Sequence, residues 1–244
     1  VDNFPSVSFE TAEGYATGTA AKSFQCWITG NKNSTSASYL PNIKTDANYP
    51  HYGKNYLYFN STPAYNGCYA IMPALDVDDI RKVQLHFYAH ASTVASYAHS
   101  MIVGVITDPS DMATFEAVDT IVVPIDIEYR PYTVYFNEYE GDYMGGLGKH
   151  ICFLSEFELS NVIYIDDVSV GWAPACLAPS NTHVVDMNLD SVTVAWRGTS
   201  DRYHVLIAKD KAADGAQPVG FMELDATVNS VAIKGLQGGT QYYV

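Results

Sequence analysis

The sequence predicts an all-β protein: a jelly-roll β-sandwich over residues 1–173, then a smaller immunoglobulin-like β-sandwich over residues 174–244. Three observations carry that prediction. Short apolar runs alternating with period two recur along the chain, while helical periods are scarce. Tyr occurs 19 times and charged residues make up only 16%, a composition suited to pleated, half-wet surfaces outside the cell. At Ala173-Pro-Ala-Cys-Leu-Ala-Pro-Ser180 the texture changes, and Pro174 and Pro179 mark a semi-rigid linker between two bodies.

Taken in order, the alternation places strands at 7–11, 55–60 and 67–72, with Gly14, Gly18 and Gly30 in loops and a polar surface loop over 31–38. The stretch 82–90 carries a clear sheet signal: Val83, Leu85, Phe87 and Ala89 share one face, and Gln84, His86, Tyr88 and His90 the other. An apolar run over 99–107 reads as a central strand. Asp108 and Pro109 then suit the N-cap and first position of a single helical turn. Further strands are expected at 120–124, 132–136, 149–154 and 161–172. Beyond the linker come 191–196, 203–208 and 230–236. The last residues, 240–244, stop inside an expected strand, so the chain is expected to be part of something longer.

Composition excludes several functions. A formal charge of -14 and a pI near 4.6 repel a phosphate backbone and an anionic membrane surface, so nucleic acid is not an expected partner. No apolar run reaches the roughly 20 residues of a membrane-spanning helix. The opening Val1-Asp-Asn-Phe-Pro5 lacks the basic and apolar regions of a signal peptide, which suggests a mature or excised chain. There is no Gly-x-Ser-x-Gly elbow and no phosphate-binding Gly-x-x-x-x-Gly-Lys-Ser/Thr loop. Gly145-Gly-Leu-Gly148 lacks the strand-to-helix context of a phosphate cradle. Cys26, Cys68, Cys152 and Cys176 have no metal-type spacing and read as free, buried thiols.

Three sets of side chains are candidates for chemistry. Asp166 and Asp167 sit side by side in the strand that closes the first domain, and the nearest available partner in type is Glu10, in the opening strand. If the first and last strands pair, these acids meet the carboxylate demand of a structural calcium ion, with alternation allowing only one of the two aspartates to point inward. The simpler reading is of carboxylates bonded to backbone amides. Glycoside hydrolysis needs two carboxyls flanking an open cleft, which adjacent aspartates in a closing strand do not offer. His90 and His99 would meet if 82–90 and 99–107 formed a hairpin, but no third ligand is specified, so they read as sheet-face histidines. Among the aromatics, the loop residues Tyr49, Tyr52 and Tyr65 are the expected ligand-binding set, because sugar rings stack on exposed aromatic faces.

These features together support two resemblances. Phe9-Glu10, Tyr69-Ala-Ile-Met-Pro-Ala-Leu-Asp76, Thr107-Asp-Pro-Ser-Asp-Met-Ala-Thr-Phe115 and Tyr164-Ile-Asp-Asp-Val168 occur in an order that resembles bacterial cleaved-adhesin jelly-roll modules, of gingipain haemagglutinin type and more remotely MAM-like. The usual Pro-x-x-Trp after the opening Phe-Glu is blurred, with Trp27 its candidate. The last part resembles a fibronectin type III domain: Trp196 matches the core Trp of its second strand, and Leu236-Gln-Gly-Gly-Thr-Gln-Tyr242 matches its Leu-x-Pro-Gly-Thr-x-Tyr corner with Gly238 in place of Pro. That resemblance implies a Tyr242 hydroxyl bonded back to the preceding loop. The first implies calcium at the acid set and a non-catalytic, secreted or cell-surface bacterial module. Such a module binds host glycan or extracellular protein, as a monomer or as part of a larger multidomain chain. The alternatives are a carbohydrate-binding accessory region of a secreted enzyme and a structural spacer.

Overall fold

A computed structural model describes residues 4–17, 23–46, 49–92, 98–143, 149–156, 159–212 and 216–244, so the expectations for Gly18 and for Gly145 to Gly148 fall outside the described residues. The protein is all-β and forms two compact units, Val1–Pro174 and Ala175–Val244.

The strands of the first unit are β1 (Ser6–Val7), β2 (Ser23–Phe24), β3 (Trp27–Asn31), β4 (Asn42–Thr45), β5 (Asn55–Ser61) and β6 (Cys68–Ile71). They continue with β7 (Val83–Ala91), β8 (His99–Ile106), β9 (Phe115–Val123), β10 (Arg130–Tyr135), β11 (His150–Ser155) and β12 (Asn161–Trp172). Two antiparallel sheets result, one ordered β10-β7-β12-β5-β4 with β1 added to β12, the other β2-β3-β6-β11-β8-β9. Between them lies a core that includes Phe9, Trp27, Leu57, Phe59, Leu85, Phe87, Phe153 and Ile165, each fully buried. The predicted inner face of β7 is the one that enters it: Val83, Leu85, Phe87 and Ala89 are inaccessible to solvent. Trp27 stacks on Phe153 at 6.3 Å and meets Phe9 at 5.6 Å, joining the opening segment to the second sheet.

First and last strands do meet: Ser6 pairs with Ser169 and Val7 with Val168. Several local expectations need correction. The opening strand is shorter than 7–11, because Phe9 adopts φ 57 and the chain then turns into a 3-10 helix, Thr11–Glu13. Gly30 is in strand β3, not a loop, and the Tyr69 ring fills the space where a side chain would be. The cap of the turn before β9 is Asp111, which accepts from Ala113 N, while Asp108 accepts from Ser110 N at 2.9 Å. The β7–β8 hairpin does not form: the two strands lie in different sheets, so His90 and His99 are not a pair. The cysteines are free, but only Cys68 and Cys152 are buried, whereas Cys26 and Cys176 are exposed.

In the second unit, β13 (Ser180–Met187), β14 (Ser191–Arg197) and β17 (Ser230–Lys234) form one sheet, and β15 (Tyr203–Ile207) pairs with β16 (Met222–Ala226). Trp196, Tyr203, Val205, Ile207 and Ile233 form its core. The Tyr242 hydroxyl accepts from Gln237 N at 3.0 Å. The last residues form a single bridge, Ala208 to Tyr243, rather than a strand.

A tyrosine turn held by three carboxylates

Apart from Tyr65, the functional candidates of the first unit collect on the outer face of its first sheet, at the end where β5 begins. The turn 49–54, Tyr-Pro-His-Tyr-Gly-Lys, folds back over that face. Glu10, Asp166 and Asp167 fasten it from both sides. Glu10 Oε1 accepts from Lys54 N at 2.6 Å and Asn55 N at 2.8 Å. Asp166 Oδ2 accepts from His51 N at 2.9 Å and Tyr52 N at 3.1 Å, while its Oδ1 accepts from Asp167 N at 2.8 Å. Asp167 accepts from Ser8 Oγ at 2.7 Å and, on its other oxygen, from His51 Nδ1 at 2.5 Å. A carboxylate only accepts, so this last contact places the His51 proton on Nδ1.

Both aspartates serve the same turn, contrary to the strict alternation expected of a strand. The cause is a bulge in β12: the register with β7 shifts between Asp166 and Ser169, and Asp167 takes φ 48. A bulge inserts one residue and re-aims its neighbours, so adjacent side chains can work on one side of the sheet. Phe9, next to Glu10, is also left-handed. A non-glycine residue there costs about 1–2 kcal/mol, so two strained residues beside one turn mark a place that surrounding structure holds deliberately. Gly53, at φ 71, sits against Glu10 within the turn.

Electrostatics agree with an anchoring role. Asp166 has no solvent exposure, and burial pushes its carboxyl up to about 7, while its backbone amide donors pull the other way. All four oxygens of Asp166 and Asp167 face N–H or O–H groups, as does Glu10 Oε1. Each of these oxygens thus already spends acceptor capacity on the turn, and a calcium ion there would need further oxygens turned toward it. Among the described residues no group of three or more His, Cys, Asp or Glu is placed to hold a metal ion.

Aromatic rings fill the space around the turn. His51 stacks on Tyr88 at 3.8 Å, and Tyr49 on Tyr164 at 5.2 Å. Tyr164 stacks in turn on His90 at 4.2 Å, and Lys44 Nζ lies 3.4 Å from the Tyr58 ring. Burial holds His90 below the ordinary imidazole range. These residues share the outer face because Tyr58, Tyr164 and His90 are register partners across β5, β12 and β7. Tyr49, 37% exposed, is thus half absorbed into packing, whereas Tyr52, 67% exposed, projects freely.

The third tyrosine is elsewhere. Tyr65 follows β5 instead of preceding it, and the 7 residues of that strand separate it from the turn 49–54 by roughly 20 Å. It stacks on Tyr39 at 4.2 Å, and its carbonyl accepts from Asn31 Nδ2 at 3.0 Å. The sequence expectation of Tyr49, Tyr52 and Tyr65 as one set therefore divides into two places. Sequence reasoning missed His51 and Tyr88. The signal available for His51 was its position between the two loop tyrosines.

No family model matches the sequence, and no curated protein is found similar to it. Solved structures do match. The K1 cleaved adhesin domain of Lys-gingipain from Porphyromonas gingivalis W83 is similar at TM-score 0.50 and 17% identity, over 70% of this chain and 99% of that one. The K2 cleaved adhesin domain of Lys-gingipain is similar at TM-score 0.50 and 12% identity, over 69% of this chain and 99% of that one. At such identities the likeness is one of fold: an adhesin-like β-sandwich.

Proposed function

We propose that the chain is a non-catalytic binding module working outside the cell or on a bacterial surface, and that it recognises host glycan or extracellular protein through the turn 49–54. The observation that carries this reading is Tyr52, 67% exposed, in a turn whose backbone is bonded to the buried carboxyl of Asp166. A backbone already fixed in place loses little freedom when the side chain it carries binds, so pre-organisation lowers the cost of association. The acids are not read as catalytic, because Asp166 is out of reach of any substrate and its oxygens are occupied by amides. For residues 175–244 we favour a spacer of fibronectin type III kind, supported by buried Trp196 and the Tyr242 hydroxyl contact.

A glycan array and a panel of extracellular matrix proteins, probed with the full chain, test this. Tyr52→Ala is expected to weaken the bound partner about tenfold or more, as loss of an aromatic anchor does, and Tyr49→Ala to weaken it less. Binding that is indifferent to both substitutions would remove the turn from the ligand surface.

A further inference from the structure

A second turn of similar construction lies against the first. Residues 124–129 join β9 to β10, and Tyr129 meets His51 at 5.4 Å and His90 at 4.6 Å. Here a single carboxylate organises the turn. Asp126 Oδ1 accepts from Glu128 N at 2.5 Å, Asp126 Oδ2 accepts from Arg130 Nη2 at 2.5 Å, and Asp126 N donates to Pro124 O at 2.9 Å. On this ordered frame two aliphatic residues stand in solvent: Ile125 is 39% and Ile127 71% exposed.

Single exposed apolar residues need no explanation. Here, though, Ile127 and Tyr52 lie on adjoining turns, each within two residues of the Tyr129–His51 contact, and each turn is fixed by buried or ion-paired acids. We infer that the two turns form one docking surface, and that its occupant is a cationic polypeptide segment. This rests on the reading of turn 49–54 as the ligand surface and narrows its partner. The aliphatic tip is the reason for a polypeptide: tyrosine alone suits a sugar ring, but a branched isoleucine finds its complement in apolar side chains, as in the core of a protein interface. Charge is the reason for a cation. Glu128 is exposed, Asp167 and Asp126 are already bonded to His51 and Arg130, and Lys54 is the exposed cation of the first turn, so the attraction comes from Glu128 and from the chain's net charge of -14. The same charge argues against a second copy of this chain, which would be repelled.

The test uses the full chain on an array of synthetic peptides varied in Lys/Arg and in Leu/Ile/Phe content, with a glycan array alongside. Bound peptides are expected to combine basic with apolar residues and to lose affinity as salt is raised. For the best peptide, Ile127→Asp, Tyr52→Ala and Glu128→Lys are each expected to raise Kd, the first two about tenfold. Ile127 is exposed, so its substitution should leave the unfolding midpoint unchanged. If glycans bind through Tyr52 and ignore Ile127→Asp while no peptide binds, the cationic-peptide inference falls and turn 49–54 stands as the ligand surface. Peptide binding that needs Ile127 but not Tyr52 overturns the two-turn surface. Indifference to both, or no binding on either array, overturns the inference and the reading of turn 49–54 together.

Discussion

Two tyrosine-bearing turns flank β5, and they are built by opposite means. The turn before it, 49–54, is fastened by the ionisable groups Glu10, Asp166 and Asp167, with left-handed Phe9 and Asp167 beside it. The turn after it, 62–67, is held by neutral amides: Asn31 Nδ2 to Tyr65 O, and Asn33 Nδ2 to Asn66 O at 3.1 Å. Each contains a left-handed glycine, Gly53 and Gly67. Turning a chain needs only the glycine and a few amide bonds, as the second turn demonstrates. The buried acid and the strained residues of the first are surplus to turning, and the surplus goes into fixing the backbone that carries Tyr52. Strain retained in a fold is a pointer to function.

The largest separation between the turns is expected from removing one anchor in each. Asp166→Ala strands three amide donors, and a buried donor left unpaired costs about 1–3 kcal/mol, so a loss of about 4 kcal/mol is expected in urea unfolding. Asn31→Ala, which removes a neutral and solvent-exposed bond to Tyr65 O, should cost about 1 kcal/mol. Equal losses would end the distinction. Glycine replacement comes next. Gly53→Ala adds a Cβ that collides with the Glu10 carboxylate, on top of left-handed strain, and should cost about 2–3 kcal/mol. Gly67→Ala meets only the Lys32 side chain, no closer than 3.0 Å, and should cost about 1 kcal/mol.

Titration separates the turns more gently. Asp166 is raised from 3.8 to about 7 in the folded protein, so between those values the native state keeps a proton that the unfolded chain releases. Its contribution is therefore fully present below about pH 4, declines as pH rises toward 7, and is level above, with a slope of at most about 1.4 kcal/mol per pH unit. The wild-type minus Asp166→Asn difference in unfolding free energy, measured across that range, should show the decline; a flat difference would place Asp166 in an ordinary environment. The smallest expected effect is none. Chelator should leave the unfolding midpoint where it is, and a fall of several degrees would show a cation bound to the native state.

Much of the fold was legible before any coordinates. The strand expected at 161–172 forms as Asn161–Trp172, and the inner face read from 82–90 is the buried one. Short strands such as β2 and β4, too brief for a period to show, were not. The acids were legible as a group, and their roles were not. Periodicity describes one strand at a time, so it predicted opposite directions for Asp166 and Asp167, and the bulge reversed that.

By itself, then, the sequence determined an all-β chain and the buried face of strands such as 82–90, because alternation of apolar side chains is a local property that burial converts directly into sheet faces. Tertiary structure alone decided that two aspartates would converge on His51, that Tyr65 would be separated from Tyr52, and that Ile127 would come to the same surface. Those outcomes depend on where loops distant in sequence close over a sheet. Long-range closure, not local preference, sets that geometry.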